Sequence, residues 1–170
     1  ADSLGCWEEI AFLDDAVRGE RVVGKCMDCT ALTDRYDEAV AAFGDNRLRL
    51  AWTRRLLEAG YHVPCVVHPT AIVSPSAVLG AGCLILHGAI VNTNTALGMA
   101  CLVNSGALVD HDNQLEDAVH VNLHATIKAW CHMVACARTE AGEVVYSTRR
   151  RIEGVRDHDL EDALFAFKLG

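Results

Sequence analysis

Histidine and aspartate are the residues here best suited to moving a proton. His111 stands between Asp110 and Asp112, and His120 follows nine residues later. An imidazole with its unperturbed pKa of about 6.5 is mostly neutral at pH 7 and able to accept a proton. A neighbouring carboxylate would fix its tautomer and stabilise the imidazolium formed on protonation. Asp112 and Asp110 are both candidates for that task. His62, His68, His87, His132 and His158 read as structural or surface residues. Cys26 and Cys29 form a CxxC, but a structural zinc site needs a second, correctly spaced pair. The nearest candidates, Cys131, His132 and Cys136, lie about a hundred residues on with the wrong spacing, so no metal is expected.

The segment carrying these histidines repeats every six residues. An aliphatic residue recurs at Val67, Val73, Leu79, Ile85, Val91, Leu97, Val103, Val109, Leu115, Val121, Ile127 and Met133, and mostly small residues follow each one four places later, from Ala71 to Ala137. A period of six scatters apolar residues around a helical wheel, so an amphipathic helix is rejected. Short strands joined by corners bury one aliphatic per flat, and three flats close a coil of eighteen residues. Successive coils then stack at about 4.8 Å and pair each other's backbone groups. Cys83 and Cys101, eighteen apart, are expected to stack as small packing residues. His111 lies two places after the inward Val109, so its side chain projects near a corner. His120 is half a coil away, on a different side of the prism, so the two histidines meet best across two chains. Flat outer faces and open ends predict self-association.

Residues 1–66 differ in character. Glu9–Leu13 reads as a buried strand, Asp34–Phe43 as a short helix, and Asn46–Ala59 as a longer helix with Leu48, Trp52 and Leu56 on one face and Gly60 just beyond. Together they suggest a small α/β module. The repeat domain spans 67–146, with the hexad failing at Thr139. A tail over 147–170 holds a basic run, Arg149 to Arg151, and a closing helix over Asp159–Lys168. Across 170 residues, 51% hydrophobic content supports a packed core, and 15 basic against 23 acidic residues leave no general positive field for nucleic acid. No stretch is long and apolar enough to span a bilayer. The eight cysteines read as reduced thiols of a cytoplasmic protein rather than a secreted disulfide scaffold.

The chain resembles the bacterial hexapeptide-repeat sugar acyltransferases, the group that includes sialic acid O-acetyltransferases and UDP-4-amino-sugar N-acetyltransferases. The resemblance rests on FLDD at Phe12 to Asp15, AFGDNRLR at Ala42 to Arg49, VVHPTAIVSPSA at Val66 to Ala77, VNSGALVDHD at Val103 to Asp112, and DAVH at Asp117 to His120. It implies a mainly β fold: a left-handed parallel β-helix preceded by a Rossmann-like module, here lacking the first strand and GxGGH-type loop, and followed by a short C-terminal helix. It further implies a homotrimer with active sites between subunits, acetyl-CoA as acyl donor, and a nucleotide-linked amino-deoxy sugar as acceptor in surface glycan or glycoprotein synthesis. By resemblance His111 is the catalytic base, Asp112 its acidic partner, and His120 approaches the acyl carbonyl. Asn104 would face the acceptor sugar, and the Ala129 amide the thioester. Asp14, Asp15 and Asn46 would line the nucleotide-sugar pocket. His124 replaces a glycine common in relatives and would narrow the donor passage. O-acetylation of a sialic-acid-like sugar, and a non-catalytic trimeric binding or scaffold role, are the competing readings.

Overall fold

The computed structural model describes Gly5 and residues 7–147. In the N-terminal module β1 (Phe12–Leu13) pairs in parallel with β2 (Val22–Gly24), and a 3-10 helix follows over Cys26–Ala31. Only the end of the expected Glu9–Leu13 strand forms, and Phe12 is half exposed. No helix occupies Asp34–Phe43. That stretch runs irregularly to Glu38, which bridges to His62, while the Ala39 amide donates to the His62 carbonyl. With no helix between β1 and β2, a Rossmann-like βαβ unit is not seen among the described residues. The CxxC pair lies in the 3-10 helix, where Cys29 packs with Ala41, Leu56, Tyr61 and Val63.

Helix α1 (Asn46–Glu58) begins where expected, because the Asp45 side chain accepts from the Leu48 amide at 2.8 Å. It ends at Ala59, and Gly60 leaves in the left-handed region at φ +95°. Its buried face is Asn46, Arg49, Leu50, Thr53 and Leu56, whereas Leu48 is exposed. The helix is thus turned from the orientation expected of an apolar face. The reason is its partner, a column of backbone carbonyls that polar side chains must satisfy.

Residues 66–145 wind into a parallel β-helix of two-residue strands, consistent with the left-handed hand implied by the resemblance. The first face stacks β3 (Val66–Val67), β6 (Leu84–Ile85), β9 (Leu102–Val103) and β12 (His120–Val121). The second stacks β4 (Ile72–Val73), β7 (Ile90–Val91), β10 (Leu108–Val109), β13 (Thr126–Ile127) and β15 (Val144–Val145). The third holds β5 (Val78–Leu79), β8 (Ala96–Leu97), β11 (Gln114–Leu115) and β14 (His132–Met133). Partners lie one coil apart, as in Ile90 to Leu108 to Thr126. Inward residues such as Ile85, Val91, Val109, Val121 and Ile127 are completely buried, each worth about 1.5–3 kcal/mol. The small column packs beside them, Cys83 and Cys101 included.

The coil does not stop at Thr139. Thr139 takes the next inward position, 1% exposed, and its hydroxyl accepts from the Asn122 amide at 2.8 Å. Val145 in β15 then fills the following one. A threonine with a buried partner for its oxygen substitutes for an aliphatic here, which an apolar pattern cannot register. The Arg149–Arg151 run and the Asp159–Lys168 helix lie outside the described residues. No helix among the described residues is long and apolar enough to cross a membrane.

Each corner carries a column of left-handed residues. Gly82, Ala100, Ala118 and Cys136 mark the corner between third and first faces, where α1 packs and small residues admit it. Gly88, Gly106, His124 and Gly142 mark the corner between first and second. Asn94, Asp112 and Trp130 mark the corner between second and third.

Candidate active site

His111 sits on this last corner, just after β10, its side chain 38% exposed. The turn is pinned on both sides. Asp110 accepts from the His111 amide at 2.9 Å and from Asn92 Nδ2 at 3.2 Å. Buried Asn113 donates to the Asp110 carbonyl at 2.8 Å and accepts from the Cys131 amide at 2.6 Å. Asp110 is therefore occupied with backbone. Asp112 instead bonds the ring, its Oδ2 lying 2.8 Å from His111 Nδ1, while its Oδ1 accepts from Asn94 Nδ2 at 3.2 Å. With the proton held on Nδ1 by the carboxylate, Nε2 is the free acceptor, and no protein group among the described residues bonds it.

One coil on, Ala129 occupies the corner position equivalent to His111, and its amide has no protein partner among the described residues. The next residue, Trp130, sets its indole perpendicular to the His111 ring, with centroids 6.1 Å apart and planes at 89°. Nothing in the hexad distinguishes Trp130, because it falls in a corner and not in either repeating column.

His120 begins β12 on the first face and is only 5% exposed. Asn104 Nδ2 lies 3.4 Å from its Nε2, leaving Nδ1 as the other ring nitrogen. That buried nitrogen has no hydrogen-bond partner among the described residues. Burial, reinforced by the charges of Arg138 and Arg49, pushes the His120 pKa down to about 4, so the ring is neutral at physiological pH. Arg49 itself is fully buried with no carboxylate partner among the described residues. It donates to the carbonyls of Ala100 (2.8 Å), Phe43 (3.0 Å) and Ala118 (3.3 Å), and to Asn46 Oδ1 (3.0 Å). Sequence reasoning passed over it, since a helical arginine normally reads as solvated.

The other expected residues are dispersed. Asn46 faces the rod, donating to the carbonyls of Cys136 (3.0 Å) and Ala137 (3.2 Å), and the latter also accepts from the His120 amide. Asp14 accepts from the amides of Ala16 and Val17, both at 2.8 Å, which holds its carboxyl below the usual range. It borders a cleft of about 400 Å³ otherwise lined by apolar side chains such as Leu13, Val22, Phe43 and Trp52. Asp15 accepts from the Cys26 amide at 3.0 Å. His124 adopts φ +53° and lays its ring over Gly106, where an added Cβ would come within 2.4 Å of it. His111 and His120 lie on different sides of the prism, and no contact joins them within the described residues of one chain.

The stacked-coil fold thus carries a carboxylate-oriented histidine on a corner and a second, neutral histidine on a face. No protein-family profile matches the chain, and no curated protein sequence matches it. Solved structures do. The acetyltransferase domain of PglB from Neisseria gonorrhoeae FA1090, in complex with acetyl coenzyme A, superposes with a TM-score of 0.81 at 31% identity, over 86% of this chain and 73% of that one. A histidine-to-asparagine variant of perosamine N-acetyltransferase from Caulobacter crescentus, in complex with CoA and GDP-perosamine, gives 0.73 at 29% identity, over 81% and 76%. This chain belongs to the hexapeptide-repeat sugar acyltransferase family, and it is a sugar acetyltransferase.

Proposed function

We propose that the protein transfers the acetyl group of acetyl-CoA to the amino group of a nucleotide-linked amino-deoxy sugar, for a bacterial surface glycan or glycoprotein. The observation that carries this reading is the 2.8 Å bond between His111 Nδ1 and Asp112, which leaves Nε2 as a proton acceptor on the coil next to that of the Ala129 amide. In the reaction the acceptor nitrogen attacks the thioester carbonyl, a C–N bond forms and the C–S bond breaks. His111 Nε2 takes the proton from nitrogen and returns it to the departing CoA sulfur. We assign to the neutral His120 ring a hydrogen bond to the carbonyl oxygen as negative charge develops there. A neutral imidazole suits this because it donates without surrendering its proton.

The complexes of the two related structures with acetyl-CoA, CoA and GDP-perosamine support the choice of donor and acceptor class. Asp14 and its apolar cleft offer a place for part of the nucleotide sugar, with Asp15 holding the neighbouring loop, and Asn104 borders the acceptor beside His120. We read the working unit as a homotrimer in the cytoplasm. The separation of His111 from His120 in one chain supports it, and so do Ile72 and Val144, 62% and 43% exposed along the second face. Radiolabelled acetyl-CoA incubated with GDP-perosamine or a UDP-linked 4-amino sugar tests the reading. Transfer is expected with the native protein and lost in His111→Ala, whose circular dichroism stays native because that side chain contributes little packing. Turnover of His111→Ala near the native rate would remove the assignment.

A further inference from the structure

The corner column Asn94, Asp112, Trp130 breaks its own rule at the third residue. Asn and Asp tolerate the left-handed region because their short polar side chains bond locally, and here they bond each other at 3.2 Å. Trp130 holds the same backbone shape at φ +64°, where a bulky residue is disfavoured. Its amide only weakly reaches the His111 carbonyl, at 3.4 Å. Residues kept against backbone preference cluster at functional sites. Here Trp130 is 39% exposed and its indole stands perpendicular to the His111 imidazole.

Whatever gives its proton to His111 Nε2 must approach within about 3 Å of it. The sugar ring bearing that nitrogen then lies beside the indole. Pyranose rings present C–H groups on one face, and an aromatic face covers such a surface while excluding water. We propose that Trp130 is an acceptor-binding residue, its indole taking the apolar face of the acceptor sugar and holding the amine against His111. This rests on the reading of His111 as base and adds the residue that sets acceptor fit.

Kinetics of Trp130→Ala and Trp130→Phe, with acetyl-CoA and the amino-sugar nucleotide, test it. The alanine variant is expected to raise the acceptor KM about tenfold, with the acetyl-CoA KM within about twofold of native, and phenylalanine to recover most of the loss. Trp130→Gly suits the left-handed backbone, so its Tm should match or exceed that of Trp130→Ala while acceptor affinity stays low. In protein labelled with 5-fluorotryptophan, the fluorine resonance missing from Trp130→Phe should shift on adding acceptor. An unchanged acceptor KM, a rise confined to acetyl-CoA, or a silent resonance overturns the assignment while transfer still depends on His111. Native protein that neither acetylates nor binds the amino-sugar nucleotides overturns the functional reading and this inference together.

Discussion

Protonation of His120 should cost the folded protein a measurable part of its stability. The ring titrates at about 4 in the folded chain against an ordinary value of 6.5, chiefly because it is buried. Between those values the unfolded chain binds a proton that the folded chain refuses, so stability falls as pH falls. One pH unit over that range corresponds to about 1.4 kcal/mol, and lowering pH from 7 to 5 should therefore cost up to about 2 kcal/mol through this residue. Below pH 4 both states are protonated and no further loss accrues. Urea unfolding of the native protein and of His120→Gln at pH 7 and pH 5, at one protein concentration, isolates the effect. Glu116, Asp14 and Glu38, held low by hydrogen bonds, lose their own contributions as pH falls through and below the ordinary carboxylate range. They are common to both proteins and cancel in the difference. The native protein should lose up to about 2 kcal/mol more than the variant. Equal losses would mean that the ring is free to charge, and the neutral donor role would go with it.

Asp112→Asn should leave the fold intact but lower kcat by roughly 10²- to 10⁴-fold, because an amide neither fixes the His111 tautomer nor stabilises its cation. Steady-state assays that find kcat within a few-fold of native would reassign the carboxylate. Arg49→Met should destabilise by about 2–4 kcal/mol in urea titrations, since it strips donors from buried carbonyls of Phe43, Ala100 and Ala118. A loss below about 1 kcal/mol would show that those carbonyls find other partners.

The repeating half of the protein could be read directly because one apolar residue per flat is a complete specification of a coil. Val109 inward places His111 on the corner, and the structure keeps it there. The pattern lapses at Thr139 because it counts hydrophobicity, while the interior asks only that a buried polar atom be bonded. The N-terminal module was less legible for a related reason. Of the expected apolar helix face, Leu56 and Trp52 pack into the N-terminal cluster while Leu48 is exposed, because the rod surface that α1 also meets presents carbonyls, to which Asn46 and Arg49 turn. Of the site, the His111–Asp112 pair was visible as adjacent letters. Trp130 was not, since its meaning lies in a contact between neighbouring coils nineteen residues apart in sequence.

His111 and Ala129 stand on consecutive rungs of one ladder, joined through backbone bonds that every coil repeats. The gap between them is therefore a lattice constant, about 4.8 Å, rather than an adjustable length. Evolution can change what decorates each rung, or slip the decoration by a whole rung, but no point substitution can move the two groups by half a step. An enzyme built this way must diversify through the side chains that overhang its corners, while the ruler underneath stays the same.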